Sequence, residues 1–438
     1  MSCLLAHRSV WRKQVTESFS KLLWQTTNRS YARYLSTWEQ DVEQGSEDSK
    51  KPPLSGRVHI LGLGNVGSFI AHGLASRLPR PPITLLFHRP EMIANFRKRK
   101  YNIGINTDGL DDNKAGFDIE VLDSEKQTWY SVPTTDEERS KSSYRNGELP
   151  EDARPVEDPI ECLILCCKAN VTYGALLNVK HRLTPDSTIL IAQNGVGVVD
   201  MLNRSLWPDP ATRPNYMQAV ISHGLSFTGN FQVAHKGVGT MIISPTVTPG
   251  SPIVAAHENT DWAPSTKYLI RLLTLTPSLV AQVESPANLF QIQLEKLAIN
   301  CIINPLTAIY ECRNGELLYI FNATRMPGVE ARFAPERLRR LITQTMHTTS
   351  QNISSMSQDI KRRKPTEIEY LNGWIVRRGE ELGMKCVLNY MLKQMVLTKA
   401  IMTERKHDTV IPIDTTDGPF SDSLEVGKSS EDSDPHLF

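Results

Sequence analysis

Arg57-Val-His-Ile-Leu-Gly-Leu-Gly-Asn-Val-Gly67 decides the fold. A short apolar strand runs straight into Gly62-Leu63-Gly64-Asn65-Val66-Gly67, and residues 68–78 continue with a helical pattern. Each glycine has a task at this spacing. Gly62 makes the tight turn, Gly64 lets the backbone approach a pyrophosphate, and Gly67 lets the helix pack close to the strand, with the phosphates at the positive helix N-terminus. A glycine-rich turn without a ligand is the alternative, but strand, motif and helix in this order point to a dinucleotide site. A second strand follows at 83–88. Where an NAD site offers an acid about 20 positions after the motif, this chain has His88-Arg89. The Arg89 guanidinium can pair with a 2′-phosphate, so NADP(H) is the expected cofactor.

Working outward, Ile160-Glu-Cys-Leu-Ile-Leu-Cys-Cys-Lys168-Ala reads as an apolar strand ending in a lysine. Thr188-Ile-Leu-Ile-Ala-Gln-Asn194-Gly-Val-Gly197 repeats the form. Ligands in an open α/β sheet bind beyond the carboxyl ends of the strands, which places Lys168 and Asn194 toward the cofactor, with plain loop residues as the alternative. Further strands are expected around 217–222 and 240–244, and His223, which follows the first of them, reads as structural. Residues 265–275 and 285–307 are helical, and helical periodicity runs on to about 403. The fold class is therefore α/β: an N-terminal Rossmann-like dinucleotide-binding domain followed by an all-α C-terminal domain. The expected boundaries are 1–55 for a leader and linker, 56–284 for the Rossmann-like domain, 285–403 for the helical substrate domain and 404–438 for a polar, disordered tail. The pattern is irregular between 104 and 158, and residues 125–158 are expected to be a mostly solvated acidic insertion.

The formal net charge of +1 over 438 residues leaves no electrostatic footprint for nucleic acid. No apolar run approaches the ~20 residues that span a bilayer, so membrane insertion is not expected. The seven cysteines show neither a C-x-x-C pair nor metal-finger spacing; they read as reduced thiols, with no metal site. At the start, Arg8, Arg12, Lys13, Lys21, Arg29 and Arg33 face one acid, Glu17, while Trp11, Val15, Phe19 and Leu23 recur every fourth residue. A basic amphipathic helix of this kind is the signature of a mitochondrial presequence. The expected location is the mitochondrial matrix. An ordinary surface helix, and with it a cytoplasmic protein, is the alternative.

Leu294-Glu-Lys-Leu-Ala-Ile-Asn-Cys-Ile-Ile-Asn-Pro-Leu-Thr-Ala308 carries Lys296, Asn300 and Asn304 at i, i+4 and i+8, which stacks them along one face of a helix. Polar groups among so many apolar neighbours are either a satisfied buried ladder or the wall of a cavity. Pro305 lacks an N–H and is expected to kink or stop the helix just past Asn304.

With these pieces placed, the sequence resembles the ketopantoate reductase (2-dehydropantoate 2-reductase) family in a long, fungal-like form. The resemblance rests on Gly62-x-Gly64-x-x-Gly67, Cys167-Lys168-Ala169, Gln193-Asn194-Gly195-Val-Gly197, the run Glu295 to Ala308 continuing to Asn314-Gly-Glu-Leu317, Asn352-Ile-Ser-Ser-Met356 and Thr366-Glu-Ile-Glu-Tyr-Leu-Asn-Gly373. It implies NADPH-dependent reduction of ketopantoate to (R)-pantoate, with Lys296 as general acid and Glu367 completing the catalytic site. It implies substrate contacts from Asn194, Asn300, Asn304, Asn314 and Ser355. Cofactor contacts fall to the Gly62–Gly67 loop, Arg89, Lys168 and Asn194. The implied partner is a small 2-oxo acid, and a homodimer is a possible assembly. Reduction of a different 2-oxo acid, or a mitochondrial NADP-binding regulatory protein without turnover, are the competing readings.

Overall fold

Fourteen strands follow the chain in order among the described residues: β1 (Val58–Leu61), β2 (Ile83–Phe87), β3 (Ile103–Thr107), β4 (Leu110–Lys114), β5 (Asp118–Asp123), β6 (Thr128–Val132), β7 (Arg154–Pro155), β8 (Cys162–Leu165), β9 (Thr188–Ile191), β10 (Asn215–Ile221), β11 (Gly224–Gly229), β12 (Gln232–Gly237), β13 (Met241–Pro245) and β14 (Ala281–Val283). The computed structural model describes residues 53–132, 149, 153–246, 262–314 and 335–408. The expected leader, most of the polar tail, the centre of the acidic segment and Gly315-Glu-Leu317 lie outside them.

Ten strands form one sheet in the order β14-β13-β10-β9-β8-β1-β2-β5-β6-β7. Its centre is parallel, β1 pairing with β2 on one side and β8 on the other. β1, β2, β8 and β9 are buried along their whole length, which is why they read as continuous apolar runs rather than alternating ones. The chain leaves β1 toward β2 and later returns to β8 on the opposite side. The crevice between β1 and β8 is therefore the topological switch point, where open α/β sheets bind ligands.

The region 104–123, expected to be irregular, is regular. β3, β4, β11 and β12 make a second sheet in the order β11-β12-β3-β4, and β5 adds to the large sheet beside β2. β4 gave no signal because its residues, Leu-Asp-Asp-Asn-Lys, have no apolar face and are almost wholly exposed. Residues 125–158, expected to be mostly solvated, contribute a half-buried strand. β6 lies inside that segment, pairs antiparallel with β5, and buries Trp129 to 1% exposure. A buried indole of this size outweighs the acidic composition around it.

After β14 every described element is helical: Pro286–Tyr310, Pro335–Thr348, Ser355–Lys361, a 3-10 turn at Ile368–Tyr370, Asn372–Glu381 and Val387–Asp408. Leu297, Cys301 and Ala308 of the first helix pack with Met356, Ile360, Ile368, Leu371 and Val396. Its start is tied to the sheet by Leu289 against Val220 and Ile242. Ser285 caps it, accepting from the Asn288 N–H at 3.1 Å, and Pro286 occupies the position where a missing N–H costs nothing. The helix does not stop past Asn304 but runs on through Pro305 to Tyr310. The carbonyl that Pro305 cannot serve is that of Cys301, and Asn372 Nδ2 donates to it at 3.1 Å. A side chain from a neighbouring helix thus replaces the lost backbone bond.

Candidate active site

β1 ends at Leu61 and the motif turns at Gly62, whose φ of +100° is open to glycine at little cost. A Cβ there would stand 2.2 Å from the Cys167 backbone nitrogen, so the first loop and the loop after β8 touch through bare backbone. The helix Asn65–Ala75 starts one residue after Gly64, with no side chain capping its free N–H groups and no acid in its first turn. A Cβ on Gly64 would meet nothing within 4 Å. An exposed, uncapped helix N-terminus beside an open glycine fits a pyrophosphate. Leu63 and Val66 pack onto the core of the large sheet, Gly67 is buried in the first turn, and Asn65 Nδ2 donates to Leu225 O at 3.5 Å. Arg89 lies two residues past the end of β2 and is exposed.

On the other side of the switch point, a cavity is lined by Gln193, Asn194 and Gly195 beyond β9, by Ala219 and Val220 of β10, and by Gln293, Lys296 and Asn300 of the long helix. Lys296 Nζ donates to the Ile221 carbonyl at 2.7 Å. Burial pushes its ammonium down to about 8, against an opposing pull from the carboxylate of Glu367. Glu367 is itself buried, and accepts from the Ala169 N–H at 3.1 Å and from Asn194 Nδ2 at 3.5 Å. Burial raises its carboxyl above the usual range, an effect reduced by the Ala169 N–H, the Lys168 charge and Asn194. A lysine held below its ordinary value and a carboxyl held above its own are the perturbed pair expected of an acid–base site.

The structure thus brings Asn194, Lys296 and Asn300 to one cavity, with Glu367 behind Asn194. Asn304 does not line it. Steps of four residues advance about 40° too far around a 3.6-residue helix, so two steps carry Asn304 away from Lys296 and into the interior. Asn314 is buried and turned to the end of the next helix, donating from Nδ2 to Thr349 Oγ1 at 2.8 Å. Ser355 is exposed in the first turn of Ser355–Lys361, whereas Ser354 caps that helix and accepts from Thr307 Oγ1 at 2.6 Å. Lys168 is ion-paired with Asp359. Glu369, two residues past Glu367, is directed instead to Arg377 and Lys393 at 3.2 and 2.9 Å.

Three contributors were not singled out from the sequence. Gln293 precedes Lys296 by three residues and shares its face, a signal that helical spacing did contain. Gln193 precedes Asn194 and donates from Nε2 to Thr172 Oγ1 at 2.6 Å. Asp359, which pairs with Lys168, gave no signal, because nothing local to it names a lysine nearly two hundred positions away as its partner.

Residues 58–247 match the family described as ketopantoate reductase PanE/ApbA, and residues 288–400 match its C-terminal part. The chain belongs to the ketopantoate reductase family. It is 30% identical over 299 residues to a 2-dehydropantoate 2-reductase of Vibrio cholerae, covering 65% of this chain and 91% of that one. It is 27% identical over 371 residues to a probable 2-dehydropantoate 2-reductase of Schizosaccharomyces pombe, covering 79% of this chain and 97% of the relative. Among solved structures, the ternary structure of D-mandelate dehydrogenase with NADH and anilino(oxo)acetate shares the fold, with a TM-score of 0.57 and 19% identity over 80% of this chain and 99% of that one. Membership makes this ketopantoate reductase family protein a dinucleotide-binding oxidoreductase. No helix among the described residues is long and apolar enough to cross a membrane.

Proposed function

We propose that this protein reduces ketopantoate to (R)-pantoate with NADPH, the step that feeds pantothenate synthesis. The observation that carries the reading is the Lys296 amine, held by the Ile221 carbonyl at a cavity that Asn194 and Asn300 also line, in a chain whose residues 58–247 and 288–400 match this family. A bound nicotinamide dinucleotide supplies the hydride. The glycine loop and the open helix end at Asn65 would hold its phosphates, and Arg89 would pair with the 2′-phosphate.

As the ketone is reduced its oxygen gains negative charge, and the Lys296 ammonium both stabilises that charge and donates the proton. Asn300 and Gln293 orient the substrate from the same helix face. Glu367 fixes Asn194 and balances the charge of the lysine. The decisive experiment follows NADPH oxidation by the purified protein with ketopantoate and a panel of other 2-oxo acids. A preference for ketopantoate supports the proposal; a better rate with another 2-oxo acid reassigns the substrate, and no oxidation with any of them removes the reductase activity.

Arg89 carries the cofactor preference. Arg89→Ala is expected to weaken NADPH binding by about 1.5 to 3 kcal/mol, the scale of a charge-assisted contact, and to leave NADH binding nearly unchanged. Equal losses in fluorescence titrations with the two cofactors would reverse the assignment.

A homodimer through the C-terminal helix also belongs to this reading. Leu388, Met391, Met395 and Met402 are about half exposed and recur at three-, four- and seven-residue spacing along one face of Val387–Asp408, the spacing of a helix-pairing seam. A second copy of the same helix fits such an uncharged stripe. Light scattering on the eluted protein should give twice the monomer mass, and Met391→Glu with Met395→Glu should give the monomer; a wild type that runs as a monomer rejects the seam.

A further inference from the structure

The peptide between Ile221 and Ser222 is the one whose carbonyl receives the Lys296 amine. In a trans peptide the N–H and C=O point in opposite directions, so whatever holds the Ser222 N–H also aims the Ile221 carbonyl. The Ser222 N–H donates to Thr240 O at 2.9 Å. Residues 239 and 240 are held in turn by side chains of the same corner. The Thr240 N–H donates to Ser222 Oγ at 2.8 Å, and the Gly239 N–H donates to His223 Nδ1 at 3.2 Å. The two segments lie so close that a Cβ on Gly239 would stand 2.4 Å from the Ser222 carbonyl carbon.

His223 is buried, and its partners fix its proton. Nε2 faces the Leu279 carbonyl at 2.9 Å and donates to it. Nδ1 faces the Gly239 N–H and His235 Nε2, the latter at 3.2 Å, and therefore carries the lone pair. The ring lies against Phe69, 4.8 Å between centroids, two residues past the glycine motif. The titratable groups around it are His235 from β12 and, acting on His235, Asp108; Phe69 and Leu279 bring no charge. Burial holds both imidazoles below the usual 6.5. A proton on Nδ1 would meet the Gly239 N–H head-on and break the clasp.

We propose that neutral His223 is a positioning residue for Lys296, clasping residues 221–223 onto 239–240 so that the Ile221 carbonyl holds the amine at the reacting ketone, and that protonation of the ring releases it. This rests on the reductase reading above, in which Lys296 serves the reduction.

The test uses the full chain as wild type, His223→Asn and His223→Leu, with kcat and KM followed across pH and the histidine rings followed by ¹⁵N NMR. Wild-type kcat should fall on the acid side below 6.5, together with the ring titration. His223→Leu should lower kcat by about 10²-fold, the scale of a misplaced reacting group, with KM for NADPH unchanged. His223→Asn, whose Oδ1 can accept from Gly239 but cannot be protonated, should recover most of that kcat and lack the acid limb. An acid limb that persists in His223→Asn, or wild-type kcat in His223→Leu, overturns the proposal. If His223→Leu fails to fold, the His223→Asn profile decides. The Lys296 amine followed by ¹⁵N NMR reports without turnover: its titration moves to lower pH in both variants to different extents if the clasp holds the carbonyl, and an unmoved amine rejects the role even if the substrate assignment fails separately.

Discussion

Lys296→Ala is expected to cut kcat by roughly 10² to 10⁴-fold, the range for one acid–base group, with NADPH affinity unchanged. Lys296→Arg should not recover it, because a guanidinium stays charged and its planar fork does not fit a point-charge site. The pH dependence has a definite sign. Burial holds the amine at about 8, so the acid is present below that value and turnover falls as pH rises through it, well short of the ordinary 10.5. The contribution to stability runs the other way. Between about 8 and 10.5 the unfolded chain binds the proton that the folded site gives up, so this residue makes the fold more stable as pH rises. Loss of turnover without loss of melting temperature on the alkaline side separates a catalytic lysine from one that only satisfies a buried ladder. A folded Lys296→Ala protein with wild-type kcat would remove it from the mechanism.

Gly62→Ala and Gly64→Ala are expected to part company. At Gly62 the added Cβ needs a left-handed φ, which strains the backbone by roughly 1 to 3 kcal/mol, and it collides with the backbone of Cys166 and Cys167, which cannot rotate away. The melting temperature should fall and dinucleotide binding should be lost with it. At Gly64 the φ of −79° suits any residue and the added methyl meets nothing in the protein. That variant should melt like the wild type yet bind NADPH at least about tenfold more weakly, a change of roughly 1.4 kcal/mol, because the methyl occupies the approach of the pyrophosphate. Thermal melts and cofactor titrations on both variants check this; normal NADPH binding by Gly64→Ala would place the phosphates elsewhere.

Much of the fold could be read directly. The central strands are legible because they are buried on both faces and so appear as apolar runs followed by glycine or a polar residue. The strand, motif and helix at 58–75 announce the dinucleotide site for the same local reason. The small sheet was hidden, since β4 is exposed and has no apolar face, and the pairing of β12 with β3 joins residues more than a hundred positions apart.

For the site, the amino-acid sequence by itself determined which residue types would meet: a lysine and an asparagine one turn apart on a helix, an asparagine after a strand, and an acid far downstream. Their distances along a helix or past a strand end are local geometry, which spacing encodes. Only the tertiary structure decided that Asn304 turns inward, that Asn372 from another helix relieves Pro305, that Lys168 is taken by Asp359, and that the amine of Lys296 rests on the Ile221 carbonyl. Each of those is a contact between segments remote in the chain. A hydrogen bond of this kind depends on how whole elements pack, and no local pattern of residues records the direction in which a neighbour's carbonyl will point.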